Sequence, residues 1–161
     1  MLYRSTIERM FVNCWAGNNS LWDIDCFVTF EGRLVAFEVK QKYPTQNGTY
    51  GLNTGLVKLF LALERAGIPV IHIILKKPVN DYKIPAIDLI TLPKYREKSQ
   101  WIGTRYQNEI LTLSESKAPA RTSISGSDEL SFYEIPENRF HFLKMLGDKE
   151  SLLPQFLNAV V

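Results

Sequence analysis

An α/β fold, with a mixed central β-sheet flanked by helices, is what this sequence predicts, and three observations carry it. Residues 22–42, WDIDCFVTFEGRLVAFEVKQK, read as two strands joined by a turn at EGR. Residues 52–66 repeat apolar side chains at helical spacing. VIHIIL at 70–75 is a run of β-branched residues sized for a buried strand. Strand, helix and strand in that order imply a right-handed crossover and a parallel pair.

The elements follow in chain order. Ile7, Met10, Phe11, Cys14 and Trp15 make one apolar stripe, so residues 5–16 are expected to form an amphipathic helix. Ser5 and Glu8 fit a capping box, and Gly17 follows the last apolar turn. The hairpin strands are expected at 22–30 and 34–40. The next helix runs from Leu52 to Ala66, with Leu56, Leu59, Phe60 and Leu63 inward. Asn53 or Thr54 can cap it, and Gly67 with Pro69 ends it. AIDLITL, 86–92, is a fourth strand candidate. PKYREKSQWIG suits a short helix, RYQNEILTL a strand or helix, and SESKAPARTSISGSDE a long polar loop. SFYEIP looks like a last strand, with NRFHFLKMLG and SLLPQFLNAVV as C-terminal helices.

A chain of 161 residues fits one domain, 1–161, with a core at 1–92 and a C-terminal elaboration at 93–161. No run approaches the roughly 18 apolar residues of a membrane span, and the N-terminus lacks a secretory leader pattern. A non-membrane, cytoplasmic protein is therefore expected. Cys14 and Cys26 have no metal-like spacing and read as small buried residues. His72 and His141 also lie in apolar runs, where packing is the simpler role. The charge is uneven. Residues 1–40 hold four basic and five acidic residues, 41–110 hold ten and five, and 111–161 hold five and seven. A basic middle beside an acidic start suits phosphate binding next to a metal site.

The hairpin carries the chemistry. A two-residue turn at Glu31-Gly32 sets Asp25 opposite Glu38 and Asp23 opposite Lys40, all four on one face. Two opposed carboxylates repel, unless a cation sits between them. Carboxylate oxygens with waters are preferred Mg²⁺ ligands. Lys40, two residues after Glu38, points the same way and can hold a water or steady charge on a phosphate. Val35, Phe37 and Val39 are expected to face the core. The plain alternative is an amphipathic hairpin with one wet face and an exposed ion pair of small value.

A first helix with Glu8, then Asp25, and Glu38-Val39-Lys40 thirteen residues on, followed by a loop, a helix and a buried strand, resembles the PD-(D/E)XK nuclease superfamily. The resemblance covers about residues 1–76, and its spacing looks most like Holliday-junction resolvases and small phage or mobile-element nucleases. It implies a restriction-endonuclease-like core and a metal-dependent DNA endonuclease. Asp25 and Glu38 would bind Mg²⁺, with Mn²⁺ as a substitute and the Val39 carbonyl as a further ligand. Lys40 would be the catalytic lysine, and Glu8 the acidic residue from the first helix, where its other role is the capping box. Ile24 stands where the motif has proline, and Asp23 could replace or assist Asp25.

The loop QKYPTQNGTYG, 41–51, follows the motif strand. Lys42, Tyr43 and Asn47 there suit phosphates and unpaired bases, and Lys58 on the next helix could reach a phosphate. Turn chemistry alone also explains the loop, and a solvated lysine explains Lys58. DNA is the expected partner, and two-strand cleavage suggests a homodimer. The other reading is a non-catalytic nucleic-acid-binding or protein-interaction module with the same fold. A small-nucleotide enzyme is disfavoured because no glycine-rich phosphate loop occurs.

Overall fold

The structure, a computed structural model, describes residues 24–78, 84–119 and 129–161. The expected helix at 5–16 with Glu8, together with Cys14 and Asp23, lies outside the described residues.

The hairpin forms as the spacing demands. β1 (Cys26–Phe30) and β2 (Arg33–Lys42) are antiparallel, with Phe30 opposite Arg33 and Cys26 opposite Phe37. The turn residues Glu31 and Gly32 have φ of 49° and 78°. Positive φ at both positions is the two-residue turn whose twist matches the flanking strands. Glycine takes this conformation freely; Glu31 pays a modest steric cost.

β2 continues through a loop to β3 (Thr49–Asn53), which starts a second sheet, and then to α1 (Thr54–Arg65). Asn53 caps α1, its Oδ1 accepting from Gly55 N at 2.8 Å. Gly67, at φ 79°, ends it, and Ile68 N bonds back to the Leu63 carbonyl at 2.9 Å. β4 (Val70–Lys76) then pairs with β2 in parallel, Glu38 beside His72 and Lys40 beside Ile74. The expected parallel pair is present.

Beyond β4 the structure departs from several expectations. Residues 86–92 are not a strand: α2 (Ala86–Thr91) is a short helix behind Pro85. Only Leu89 of its branched residues is inward, while Ile87 and Ile90 are 60 % and 53 % exposed. The neighbouring slot in the sheet goes instead to β5 (Gln100–Arg105), reached through α3 (Pro93–Arg96) and antiparallel to β4. A 3₁₀ turn occupies Asn108–Thr112. The polar stretch after it is partly strand: β6 (Glu115–Pro119) pairs with β7 (Glu129–Pro136). After a 3₁₀ turn at Glu137–Arg139 comes β8 (His141–Met145), where a helix was expected. Backbone pairing with β5 decides that segment, and only Leu143 within it is buried. α4 (Leu153–Val160) closes the chain.

The result is a five-stranded mixed sheet, β1-β2-β4-β5-β8, beside a three-stranded antiparallel sheet, β3-β7-β6. Residues from 93 onward, read as an elaboration, supply two strands of the main sheet. Helices flank that sheet. On one face Ala36 and Val70 meet Val57 and Phe60 of α1 and Tyr133 and Ile135 of β7. On the other, Val35, Phe37, Ile71 and Ile73 meet Phe156 and Leu157 of α4. Contact there is close: a Cβ on Gly103 would lie 3.0 Å from methyls of Ile73 and Leu143. Arginines from β2 and β5 tie down the end of α4, Arg33 donating to the Val161 carbonyl at 2.8 Å and Arg105 to that of Val160. Cations at a helix C-terminus are favourable.

Two smaller expectations fail. Cys26 is exposed, and Val39 is 37 % exposed rather than core. Among the described residues β1 is the edge of the main sheet, and α4 covers that sheet only in part.

Candidate active site

The site is built at the open end of the hairpin. Even-numbered residues of β2 face α1. Along that face, burial shields Ala36 and Glu38, and exposure begins at Lys40. Hydrogen bonding alternates too. Ala36 N donates to the Pro69 carbonyl, toward β4, at 2.9 Å, so odd-numbered amides face β1. At Val39 the β1 ladder has already ended, and the Asp25 side chain takes over. Its Oδ2 accepts from Val39 N at 2.7 Å. Asp25 thus lies in the bend just before β1, opposite Glu38 by continuation of the register. An N–H and a C=O of one strand residue point to the same edge. The Val39 carbonyl therefore opens toward Asp25 as well.

Lys40 joins the two acids. Its Nζ forms an ion pair with Glu38 Oε1 and lies 3.6 Å from Asp25 Oδ2. Glu38 is only 2 % exposed, whereas the Lys40 and Asp25 side chains are 41 % and 34 % exposed. So a buried carboxylate and a half-open one converge on a single ammonium that reaches solvent. Burial works against the Lys40 charge. The hydrogen bond and charge of Glu38, with the charge of Asp25, outweigh it and hold the pKa above its ordinary value.

Behind this trio lies a second basic position. Lys42 turns inward, its Nζ donating to the Gly51 carbonyl of β3. Burial first, and then the charge of Lys40, lower its pKa to about 8, against a pull upward from Glu38. This places Lys42 as a strut between β2 and β3, away from the solvent-facing phosphate role expected for it. Of the other expected contact residues, Tyr43 and Asn47 are exposed on the loop, which a Thr45–Gly48 turn closes, and Lys58 is exposed on α1. Among the described residues no hydrogen bond links those three to Asp25.

His72 is the residue whose role the sequence did not reveal. It is fully buried beside Glu38 on the adjacent parallel strand, with Nδ1 2.8 Å from the Tyr106 hydroxyl. Burial, then the charges of Lys42 and Lys40, push its pKa well down, so it is neutral. A polar residue in the apolar run IPVIHIIL was the available signal. Its place beside Glu38 depends on the β2–β4 register, which no local pattern encodes.

Among the described residues no three His, Cys, Asp or Glu side chains form a metal cage. A Mg²⁺ site needs less, one or two carboxylates with waters and substrate phosphate. Asp25 and Glu38 fit that smaller set, since they already share one cation, the Lys40 ammonium. No helix among the described residues is long and apolar enough to cross a membrane. Comparison of the chain with family models, with curated proteins and with solved structures gives no match.

Proposed function

We propose that the chain is a Mg²⁺-dependent endonuclease that hydrolyses DNA phosphodiester bonds, built on a restriction-endonuclease-like core. The observation that supports this most is the convergence of Asp25 and Glu38, from opposite strands of the hairpin, on Lys40. Two acids held together beside one base at a solvent-reaching strand end are poorly suited to stability alone and well suited to a divalent cation. Asp25, Glu38 and the Val39 carbonyl would hold Mg²⁺, which supplies Lewis-acid charge at a phosphate. Lys40, kept protonated by its neighbours, donates hydrogen bonds to an attacking water and to the charge that builds on phosphate oxygens. Asp25, by bonding Val39 N, sets the strand end in place. Exposed Tyr43 and Asn47 are suited to touch nucleic acid, and a two-fold dimer would serve two strands.

Plasmid incubated with Mg²⁺ or Mn²⁺ tests the reading. Wild type should nick or linearise it, while Glu38→Ala and Lys40→Ala should leave it intact. A panel of branched and linear DNAs then identifies the preferred form. If wild-type protein leaves every nucleic-acid form whole, the enzyme reading is lost. The second reading, a non-catalytic nucleic-acid-binding or interaction module, draws on the same ion pairs, because Lys40 already contacts both acids. It requires that binding survive Glu38→Ala undiminished.

A further inference from the structure

The 3₁₀ turn after β5 and the 3₁₀ turn between β7 and β8 flank a pocket of about 260 Å³. It lies toward the β5–β8 end of the main sheet, away from β1. Ile110, Leu113 and Ile135 give it an apolar wall. Glu109 comes to the pocket from the first turn and Arg139 from the second, and both are exposed. We propose that this pocket binds a small zwitterion, an α-amino acid with an apolar side chain. Arg139 takes its carboxylate, Glu109 takes its ammonium group, and the apolar wall takes its side chain.

The two charges line one pocket and are not spent on each other. Among the described residues no ion pair joins them, and the Arg139 side chain has no hydrogen-bond partner. Glu109 uses Oε1 to accept from Gln107 N at 3.2 Å, which leaves Oε2 for a ligand. Arg105, the other permanent charge on the lining, is already bound to Glu64 and to the Val160 carbonyl. One cation and one anion therefore remain. A plain anion would meet Glu109 as a like charge, and a plain cation would meet Arg139. A molecule carrying both charges satisfies each. The planar guanidinium suits a carboxylate in particular, because it offers two parallel N–H donors. Size points the same way. The pocket falls just below the roughly 300–1,000 Å³ of drug-sized ligands, which suits one amino acid and not a peptide. Both turns are held in shape before any ligand arrives. Ile110 N donates to the Gln107 carbonyl at 3.1 Å, Thr112 Oγ1 to the Glu109 carbonyl at 2.7 Å, and Phe140 N to the Glu137 carbonyl at 3.0 Å. A preorganised backbone lowers the ordering cost of binding. The inference does not depend on the endonuclease reading.

Titration calorimetry on the full chain tests it, with L-leucine and L-phenylalanine as probes. At least one of them should bind, and absence of binding by both overturns the inference. Three analogues of the probe that binds then need no change to the protein. The N-acetyl form lacks the ammonium charge, the amide form lacks the carboxylate, and glycine lacks the apolar side chain. Each should bind about tenfold more weakly or worse. An N-acetyl form that binds as well as the free amino acid makes the pocket an anion site. An amide that does so makes it a cation site, and glycine doing so leaves the apolar wall without a role. Any of these three results overturns the inference. Arg139→Gln and Glu109→Gln should each weaken binding by a similar factor, while Lys94→Gln, an exposed charge on α3, should leave it unchanged. Binding that survives both pocket substitutions, or that falls equally in Lys94→Gln, refutes the assignment.

Discussion

Two ion-pair clusters in this molecule are built to opposite rules. Glu64, at the end of α1, accepts from Arg105 Nε at 2.8 Å and from Arg105 Nη2 at 2.6 Å, and also from Val70 N at 2.9 Å. Arg105 spends its remaining guanidinium arm on the α4 carbonyl of Val160. Charges balance one to one, the fork is bidentate, and three elements are tied together. The Asp25–Glu38–Lys40 cluster, with Lys42 behind it, has no bidentate fork and keeps a solvent-reaching side. Access to solvent is what distinguishes the proposed cation site from a cluster that holds three elements of the fold together.

The largest effect should separate the two clusters by what is lost. Glu38→Gln keeps the shape and should lower plasmid cleavage by about 10²–10³-fold while moving the melting temperature little. Glu64→Gln should leave cleavage per folded molecule near wild type. Equal losses of activity from both would erase the distinction.

Stability should show the reverse. Removing one partner of a largely buried pair costs about 3 kcal/mol, so Glu64→Ala should lower the melting temperature by roughly 6–12 °C. Calorimetry on Glu64→Ala and Arg105→Met checks this, and a shift within a degree would show that the clamp contributes nothing.

Metal affinity sharpens the comparison further. On the proposed function Lys40 would compete with the cation for Asp25 and Glu38, so Lys40→Ala should bind Mg²⁺ several-fold more tightly while losing cleavage. Titration calorimetry reads the first and plasmid nicking the second. Weaker metal binding in Lys40→Ala would place the cation elsewhere.

The smallest effect is in pH dependence. Lys42 is depressed to about 8 from an ordinary 10.5, so between those values the unfolded chain binds more protons than the folded one. Stability from this group therefore rises with pH through that window. Lys40 is raised, so its contribution is complete below 10.5 and is lost at higher pH. Urea midpoints measured across the window should climb less steeply in Lys42→Met than in wild type. An unchanged slope would show that Lys42 is not desolvated.

Local pattern sufficed where neighbours in sequence are neighbours in space. The EGR turn and alternation along β1 and β2 determined the hairpin register, whose continuation sets Asp25 opposite Glu38. Apolar spacing with Asn53 and Gly67 determined α1. Where an element's partner is distant, pattern failed. His141–Met145 is a strand only because β5 offers an edge, and Ala86–Thr91 is a helix in part because β5 fills the slot beside β4. Cys26 is exposed on β1, which is the edge of the sheet among the described residues.

By itself the sequence placed Asp25, Glu38 and Lys40 on one face once the turn is taken as two residues, because a period of two then sets the register. Tertiary structure alone decided that Lys42 turns inward to Gly51 and that His72 lies buried beside Glu38. Both depend on packing two sheets and a helix against one strand. That is a matter of long-range burial, in which apolar area removed from water outweighs the local preference of any polar side chain.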